Sequence, residues 1–163
     1  MTSVQPRHAE FWQAACQAVP DLPEAARYQV WHFGDSEPLA RELAELVLQG
    51  PKRATAGLLW EAENDPNMMP VPGGFSLITD YSGAPLLILR TTDVQIRAYR
   101  DVDAGFAAAE GEGDGSLDYW RAAHWRYFSR RCAALGRTAS DEMPVILERF
   151  ALVYPTEPRR SVS

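Results

Sequence analysis

The chain of 163 residues has a single lysine, Lys52, beside fifteen arginines, and Thr55 follows it three positions later. Arginine keeps its proton at biological pH, whereas a desolvated lysine can lose it and act as a base. A threonine hydroxyl becomes a nucleophile only when a base removes its proton. Gly50 and Pro51 predict a tight turn just before this pair, which would bring the two side chains together. The pattern therefore predicts acyl-transfer chemistry if burial lowers the pKa of Lys52, and otherwise reflects codon bias.

A second group of candidates lies in residues 106–131, where an acidic turn broken by glycines leads into a helix rich in aromatic residues and arginines. Glu112 in this turn could protonate a leaving amine, and backbone N–H groups of residues 111–115 could stabilise an oxyanion. The acids of the turn could instead hold a divalent cation, Mg²⁺ or Mn²⁺, through oxygen ligands. These acids are Glu110, Glu112 and Asp114. Acidic, glycine-rich turns are also common as simple caps and bends.

The same region offers contacts for a polar ligand with a flat ring. Lys52 and Arg90 could bind an anionic group such as a phosphate, and the aromatic side chains that could stack on the ring are Tyr119, Trp125 and Tyr127. Arg90 alternates with apolar residues along a long predicted strand, so it is a pocket arginine unless a salt bridge or a bulge accounts for it. The further candidates for substrate contacts are Arg53, Glu110 and Arg121. His124 is predicted to be a hydrogen-bonded core residue.

Two helices outside this region can be bounded from the sequence. Apolar residues at helical spacing predict a first helix over residues 6–19. Asp35 or Ser36 can cap the start of a second helix, and Gly50 suits its C-terminal cap. The aromatic helix itself begins after Asp114 or Ser116, either of which can serve as its N-cap. The second helix should therefore end just before Lys52.

The apolar segments predict strands over residues 75–79, 86–97 and 145–154. Residues 155–163 are predicted to be a flexible tail. No repeat or linker divides the chain, so we expect one domain over residues 1–163. The predicted elements include both helices and strands, and the fold class that we expect is α+β.

Composition excludes several classes of protein. No apolar run is long enough to cross a membrane, and no basic segment followed by an apolar one marks a signal peptide. Cys16 and Cys132 are far apart and are predicted to be reduced thiols in a cytoplasmic protein. The net charge of -6 argues against a general polyanion binder, although five arginines and no acid in residues 120–137 allow a local basic face. The sequence does not indicate an oligomeric state.

Three motifs, in this order and spacing, resemble the larger type of ASCH domain protein. They are GPKRATAGLLWEAE, LRTTDVQIRAYRDV and FAAAEGEGDGSLDYWRAAHWRYFSR, and the resemblance covers residues 33–154. It implies a PUA-like fold, a compact β-barrel flanked by helices, with a cleft that handles RNA or a modified nucleoside. It also implies one of two activities of relatives: a ribonuclease acting on single-stranded RNA, or an amidohydrolase that removes the acyl group from N4-acetylcytidine.

The amidohydrolase pattern can be carried over residue by residue. The lysine and threonine of its K-x-x-T motif correspond to Lys52 as base and Thr55 as nucleophile. The second glutamate of its A-E-x-E motif corresponds to Glu112 as acid and base, while Arg53 stands where the family usually has a threonine. On this account Lys52→Ala abolishes acyl release without unfolding the protein.

The ribonuclease relative is similar at Lys52 and at the helix serine, Ser129, which becomes a further catalytic candidate. The resemblance to the larger type favours strand cleavage, with deacylation as the alternative hydrolase. A third interpretation is a module that binds RNA or a modified nucleoside without catalysis, in which Lys52 and Glu112 form a salt bridge.

Overall fold

The structure, a computed structural model, describes residues 5–156. Residues 157–163 of the predicted tail therefore lie outside the described residues. The helices are α1 (Pro6–Ala18), α2 (Glu37–Gln49), α3 (Leu59–Asn64), α4 (Ala104–Glu110) and α5 (Leu117–Ala134). The strands are β1 (Tyr28–Trp31), β2 (Ala54–Leu58), β3 (Phe75–Thr79), β4 (Pro85–Ala98) and β5 (Pro144–Tyr154). Short 3-10 turns follow α3 and β4.

The helix ends that position the site are capped by the residues the sequence indicates. Ser36 accepts a hydrogen bond from the Leu39 backbone N–H at the start of α2. Gly50 ends α2 with φ of 118°, a left-handed conformation that glycine adopts without steric cost. Ser116 caps α5 in the same way, since its hydroxyl accepts from the Tyr119 backbone N–H at 3.0 Å. The predicted start of α5 and the predicted end of α2 are therefore confirmed.

The five strands form one mixed sheet in the order β1-β3-β4-β5-β2. Strand β1 runs parallel to β3, and the other neighbouring pairs are antiparallel. Strands β1 and β2 are thus the two edges, yet residues of both line one cleft. The sheet must curl to bring its edges to a common cleft. The predicted α+β architecture is observed, with the barrel open between β1 and β2.

Strand β4 is covered on both faces in its first half, where Leu87, Ile88 and Leu89 are all completely buried. Its pairing with β5 shifts register between Ile88 and Leu89 and again between Thr91 and Asp93. These irregularities break the simple alternation that the sequence suggests. Arg90 is consequently exposed to solvent. The sequence had offered such a bulge as the alternative to a pocket arginine, and the structure has the bulge.

Among the described residues, two of the three apolar clusters position the elements of the site. In one cluster, Trp120 and Phe128 of α5 pack with Leu147 of β5. In the other, α2 packs against β3 and β4. The chain passes from α2 of the second cluster to β2 of the first cluster through residues 50–53. Lys52 therefore lies between two rigid packing units, which fixes its position.

Candidate active site

A cleft of about 520 Å³ opens between the edge strands β1 and β2 and is bounded by α2, α3 and α5. The segment around β1 contributes Trp31, His32 and Phe33, and α5 contributes Tyr119 and Tyr127. The volume lies within the range of roughly 300–1,000 Å³ that is typical of small-molecule sites. The cleft can therefore enclose a ligand with aromatic rings.

Lys52 is completely buried at this cleft. Its ammonium Nζ donates to Glu110 Oε1 at 2.9 Å and to Glu112 Oε2 at 3.1 Å. It also lies 5.5 Å from the centre of the Phe33 ring. The neighbouring backbone is equally well held, because the N–H of Arg53 donates to the carbonyl of Ala109 at 2.7 Å. The lysine is thus a fixed part of the site rather than a flexible surface cation.

Gly111 explains how two glutamates of one short segment reach the same ammonium. It ends α4 with φ of 65°, so the chain turns sharply between Glu110 and Glu112. A Cβ atom at this position would lie 2.8 Å from the backbone C and O atoms of Pro51. The end of α4 and the Lys52 segment therefore pack backbone against backbone, which only glycine permits.

Glu110 is held from several sides. Its Oε2 atom accepts hydrogen bonds from Trp120 Nε1 and from His124 Nε2, the latter at 3.0 Å. The other ring nitrogen of His124, Nδ1, lies 2.9 Å from the Trp120 backbone oxygen. Both neighbours of the imidazole are acceptors, so both of its nitrogens carry a proton. His124 is therefore an imidazolium, and the expectation of a hydrogen-bonded core histidine is confirmed.

The pKa values of the two cations differ from what burial alone would produce. Burial lowers the pKa of Lys52, but Glu110 and Glu112 outweigh it and raise the pKa above its ordinary value. The pKa of His124 is likewise raised, because the Glu110 carboxylate outweighs burial. The sequence had required burial to lower the pKa of Lys52. That condition is not met, since the adjacent carboxylates stabilise the charged ammonium.

The pKa values of Glu110 and Glu112 are shifted in opposite directions by the same environment. Burial raises the pKa of Glu110, but Lys52 and His124 together hold it well below its usual range. Burial, with the Glu110 charge in addition, raises the pKa of Glu112 to about 6 despite the attraction of Lys52. Glu110 is therefore held in its ionised form, and Glu112 is the carboxyl group of the two that exchanges a proton closer to neutral pH.

A divalent cation does not fit these donors. Glu110, Glu112 and His124 bring ligand atoms within 4.8 Å of one another. However, the Lys52 ammonium bridges the carboxylates, and both His124 nitrogens act as donors and offer no lone pair. Asp114, the third acid of the predicted cation site, is exposed and accepts from the Ser116 backbone N–H at 2.9 Å. The predicted cluster of Glu110, Glu112 and Asp114 is not assembled.

Thr55 and Glu148 form a second polar part of the cleft. They are direct partners in the antiparallel pair of β2 and β5, and both line the cleft. Glu148 is buried, and its Oε2 atom accepts a hydrogen bond of 2.6 Å from the Thr91 hydroxyl. Burial raises the pKa of Glu148. Thr55 is half-buried and makes no side-chain hydrogen bond within residues 5–156.

Ion pairs fix α5 at the mouth of the cleft. Arg130 binds Asp35 through two hydrogen bonds, of 2.9 and 3.1 Å. Arg131 binds Glu61 of α3 in the same bidentate way, at 3.0 and 2.8 Å. These contacts join α5 to α3 and to the residues just before α2. The paired side chains therefore fix the width of the cleft.

The structure brings six of the predicted site residues to the cleft: Lys52, Thr55, Glu110, Glu112, Tyr119 and Tyr127. Besides Asp114, five candidates lie outside its lining and are described next. The sequence did not indicate that Glu148 lines the cleft or that His124 pairs with Glu110. An acid within the apolar segment VILERFALVY was the signal that could have identified Glu148.

Local packing explains each of the other positions. Arg53 donates to the backbone carbonyls of Val47 and Lys52, so it supports the turn instead of a ligand. Arg90 is exposed beyond a bulge of β4. The residues on other faces of α5 and away from the cleft are Arg121, Trp125 and Ser129. Trp125, predicted to stack on a base, packs instead on Tyr99 with ring centres 5.5 Å apart.

Comparison with known proteins identifies the family of the chain and agrees with its fold. The sequence model of the ASCH domain matches residues 29–154. The solved ASCH domain from Lactobacillus crispatus JV V101 is 33% identical with a TM-score of 0.84, over 94% of this chain and 98% of that one. Protein EF3133 from Enterococcus faecalis V583 is 31% identical with a TM-score of 0.79, over 91% and 90%. The chain belongs to the ASCH domain family, and its PUA-like fold is the one that the motifs predicted.

A more distant structure, the hypothetical protein PH0355, shares the fold alone. It is 13% identical with a TM-score of 0.52, over 76% of this chain and 99% of that one. No curated protein matches the chain. Within residues 5–156, no helix combines the length and apolar character that a membrane crossing requires.

Proposed function

We propose that this ASCH domain is an amidohydrolase that removes an acyl group from the exocyclic amine of a pyrimidine nucleoside, as in N4-acetylcytidine. One observation carries the proposal. The Nζ atom of Lys52 contacts Glu112 Oε2 at 3.1 Å, in a cleft that also presents the Thr55 hydroxyl. These are the three residues that resemble the amidohydrolase pattern, and their common location supports a common reaction.

The charge of the cleft favours an uncharged heterocycle as the ligand. Six carboxyl side chains line it, against four cationic side chains, which are Lys52, His124, Arg126 and Arg130. The carboxyl groups belong to Glu42, Glu61, Asp65, Glu110, Glu112 and Glu148. A chain of phosphates would be repelled by this arrangement. Aromatic side chains such as Trp31 and Tyr119 suit a nucleobase, because every base has a face that can stack.

The residues of the cluster then have distinct roles. Lys52 keeps its proton, so it stabilises the negative charge that develops on the acyl oxygen instead of acting as a base. Two of its three N–H donors are held by carboxylates, which fixes the direction of the third. Glu112, with its pKa of about 6, gives a proton to the leaving amine. Thr55 supplies the attacking oxygen, and water later releases the acyl group as a carboxylic acid.

Cleavage of single-stranded RNA is the second candidate, and one observation favours it. Arg126 of α5 lines the mouth of the cleft, is exposed, and forms no ion pair within the described part of the chain. It could bind a phosphate that flanks a nucleoside in the cleft. Lys52 is a poor phosphate ligand by comparison, because a phosphate would compete with two carboxylates already bound to it. We therefore rank deacylation first.

The test is hydrolysis of free N4-acetylcytidine, followed by chromatography and mass spectrometry. Wild type should release cytidine, and Glu112→Gln should be slower by roughly 10²- to 10⁴-fold, the usual contribution of general acid–base catalysis. Glu142→Gln is the matched control, because Glu142 is exposed, pairs with Arg100 and does not line the cleft. Binding of the nucleoside without turnover would overturn the proposal and favour a binding module.

A further inference from the structure

The proposed deacylation lacks a base for its nucleophile. Thr55 is activated only when a neighbouring group takes its proton. Lys52 cannot do so, because its ammonium is bound to Glu110 and Glu112 and is stabilised in the charged form. Within residues 5–156, the Thr55 hydroxyl makes no hydrogen bond to any side chain. The base must therefore come from another part of the cleft.

Glu148 is the carboxyl group nearest in register to Thr55. Directly opposed residues of antiparallel strands have Cβ atoms about 4.5–5.5 Å apart and project to the same face. Thr55 and Glu148 are such a pair, and that face is the cleft. The Thr91 hydroxyl holds Oε2 of Glu148 at 2.6 Å, which leaves Oε1 for the cleft. Within the described residues, every fully buried side-chain oxygen has a hydrogen-bond partner. Oε1 of Glu148 has no such partner, so it is not fully buried and has access to the cleft interior.

The setting of Glu148 is not that of a structural salt bridge. Glu148 is only 6% exposed, yet its carboxyl group forms no ion pair with any described residue. The other charged groups of the cleft floor, Lys52, Glu110, Glu112 and His124, are bound to one another. A buried carboxyl group without a cation is costly for a fold. Packing alone does not account for it, whereas a role in the reaction does.

We infer that Glu148 is the general base that activates Thr55, an assignment that rests on the proposed deacylation. In the first half-reaction, the Thr55 O–H bond breaks and its proton passes to Glu148 Oε1. The Thr55 oxygen bonds to the acyl carbon, and the C–N bond breaks as Glu112 protonates the leaving amine. The products are an acyl-threonine ester and the free exocyclic amine.

The second half-reaction restores both carboxyl groups. Water attacks the acyl carbon and gives a proton to Glu112, which returns to its protonated form. The bond between the acyl carbon and Thr55 breaks, and the threonine oxygen recovers its proton from Glu148. Lys52 stabilises the oxyanion in both halves. One carboxyl group thus serves the threonine, and the other serves the amine and then the water.

The test compares steady-state kinetics of wild type, Glu148→Gln and Glu148→Asp on N4-acetylcytidine, with Glu142→Gln as control. Glu148→Gln retains an acceptor for Thr91, so its fold should persist, which thermal unfolding checks. We expect kcat to fall roughly 10²- to 10⁴-fold with KM changed less than about threefold, and Glu148→Asp to recover part of the loss. Intact-protein mass spectrometry should detect no acyl adduct in Glu148→Gln.

The outcomes separate the two claims. If wild type hydrolyses the substrate and Glu148→Gln keeps its kcat within about threefold, Glu148 is not the base, although the proposed function stands. A rise in KM alone, with kcat retained, would make Glu148 a binding group and overturn the assignment. If Glu148→Gln loses its cooperative unfolding and Glu148→Asp is folded but has the kcat of wild type, the role is structural. If wild type does not hydrolyse the substrate, the proposed function fails, and the assignment of Glu148 as its general base fails as well.

Discussion

The Nζ atom of Lys52 lies 2.9 Å from Oε1 of Glu110, and neither side chain is more than 1% exposed. The residues are 58 positions apart in the chain. Through Glu110 the same contact reaches Trp120 and His124 of α5. The ion pair therefore joins the segment after α2, the end of α4 and the core face of α5. The site and the fold share this contact, so changes to it should affect both.

Replacing the lysine should destabilise the protein. Lys52→Met leaves the buried Glu110 carboxylate with His124 as its remaining cation and Glu112 with none, and breaking a buried ion pair typically costs about 3–5 kcal/mol. Urea denaturation would measure the change in the free energy of unfolding, and the double variant Lys52→Met/Glu110→Gln should recover part of it. Arg41→Met is the matched control, because its pair with Glu37 is exposed and contributes about 0–1 kcal/mol. Equal effects of Lys52→Met and Arg41→Met would contradict the prediction.

This result would differ from the expectation drawn from the sequence, in which Lys52→Ala abolishes turnover and leaves the fold intact. The sequence could not indicate that Lys52 is completely buried between two carboxylates. Loss of activity in a Lys52 variant is consequently poor support for a catalytic role. Glu112→Gln is the better probe, because Glu112 is less deeply buried than Glu110.

Gly111 should be sensitive to the smallest possible side chain. Gly111→Ala adds a Cβ atom 2.8 Å from the Pro51 backbone at a residue with φ of 65°. The end of α4 must then move away from the Lys52 segment, which separates Glu110 and Glu112 from the ammonium. Gly115→Ala is the control, because Gly115 also has positive φ (76°) but nothing within 4 Å of the added atom. Strain at positive φ alone costs roughly 1–2 kcal/mol.

We expect Gly111→Ala to lower the melting temperature more than Gly115→Ala does, and to reduce deacylation as well. Differential scanning calorimetry of the two variants isolates the effect of the backbone contact, since both share the conformational strain. If the melting temperature falls no further in Gly111→Ala than in Gly115→Ala, the contact with Pro51 does not contribute to stability.

The imidazolium of His124 predicts a pH dependence of stability. A group whose pKa is raised on folding stabilises the folded state fully below its unfolded pKa, here 6.5, and less as the pH rises through its folded pKa. The stability of wild type relative to His124→Gln should therefore be greatest at pH 6 and should decline at higher pH. Urea denaturation of both proteins at pH 6 and pH 9 measures this difference. A difference that is constant or grows with pH would show that His124 is neutral.

The aromatic lining predicts which side chains contact the ligand. Tyr119 lines the cleft, whereas Trp125 packs on Tyr99 outside it. Tyr119→Ala should weaken nucleoside binding by about 1–3 kcal/mol, the usual effect of removing a stacked ring. Trp125→Ala should leave the affinity unchanged. Isothermal titration calorimetry with N4-acetylcytidine and the Glu112→Gln protein would measure binding without turnover. The reverse order of effects would place the ligand on the opposite face of α5.

Much of the framework could be predicted from local sequence signals. Ser36 and Gly50 mark the ends of α2 because their chemistry satisfies or permits the backbone at those points. The convergence of Lys52 and Glu112 was implied by the family resemblance, and the structure brings them to 3.1 Å. Spacing alone could not have done this, because the contact depends on how α4 crosses the segment after α2.

The remaining errors concern the direction in which a side chain points. The register shifts of β4 turn Arg90 to solvent, and no pattern of residue types reveals a bulge. Ser129 is on the aromatic helix but faces away from the cleft, which follows from how α5 packs. Glu148 resembles an outward polar residue of an otherwise apolar strand, whereas the curled sheet turns it into the cleft. These features arise from tertiary packing and are invisible in a local segment.

The most direct test is mass spectrometry of a short single-stranded RNA that carries one acetylated cytidine, after incubation with wild type or Glu112→Gln. The deacylation account predicts that wild type removes only the acetyl mass, that the oligonucleotide keeps its length, and that Glu112→Gln leaves the acetyl group in place. Shorter fragments produced by wild type and not by Glu112→Gln would contradict the account and establish a ribonuclease.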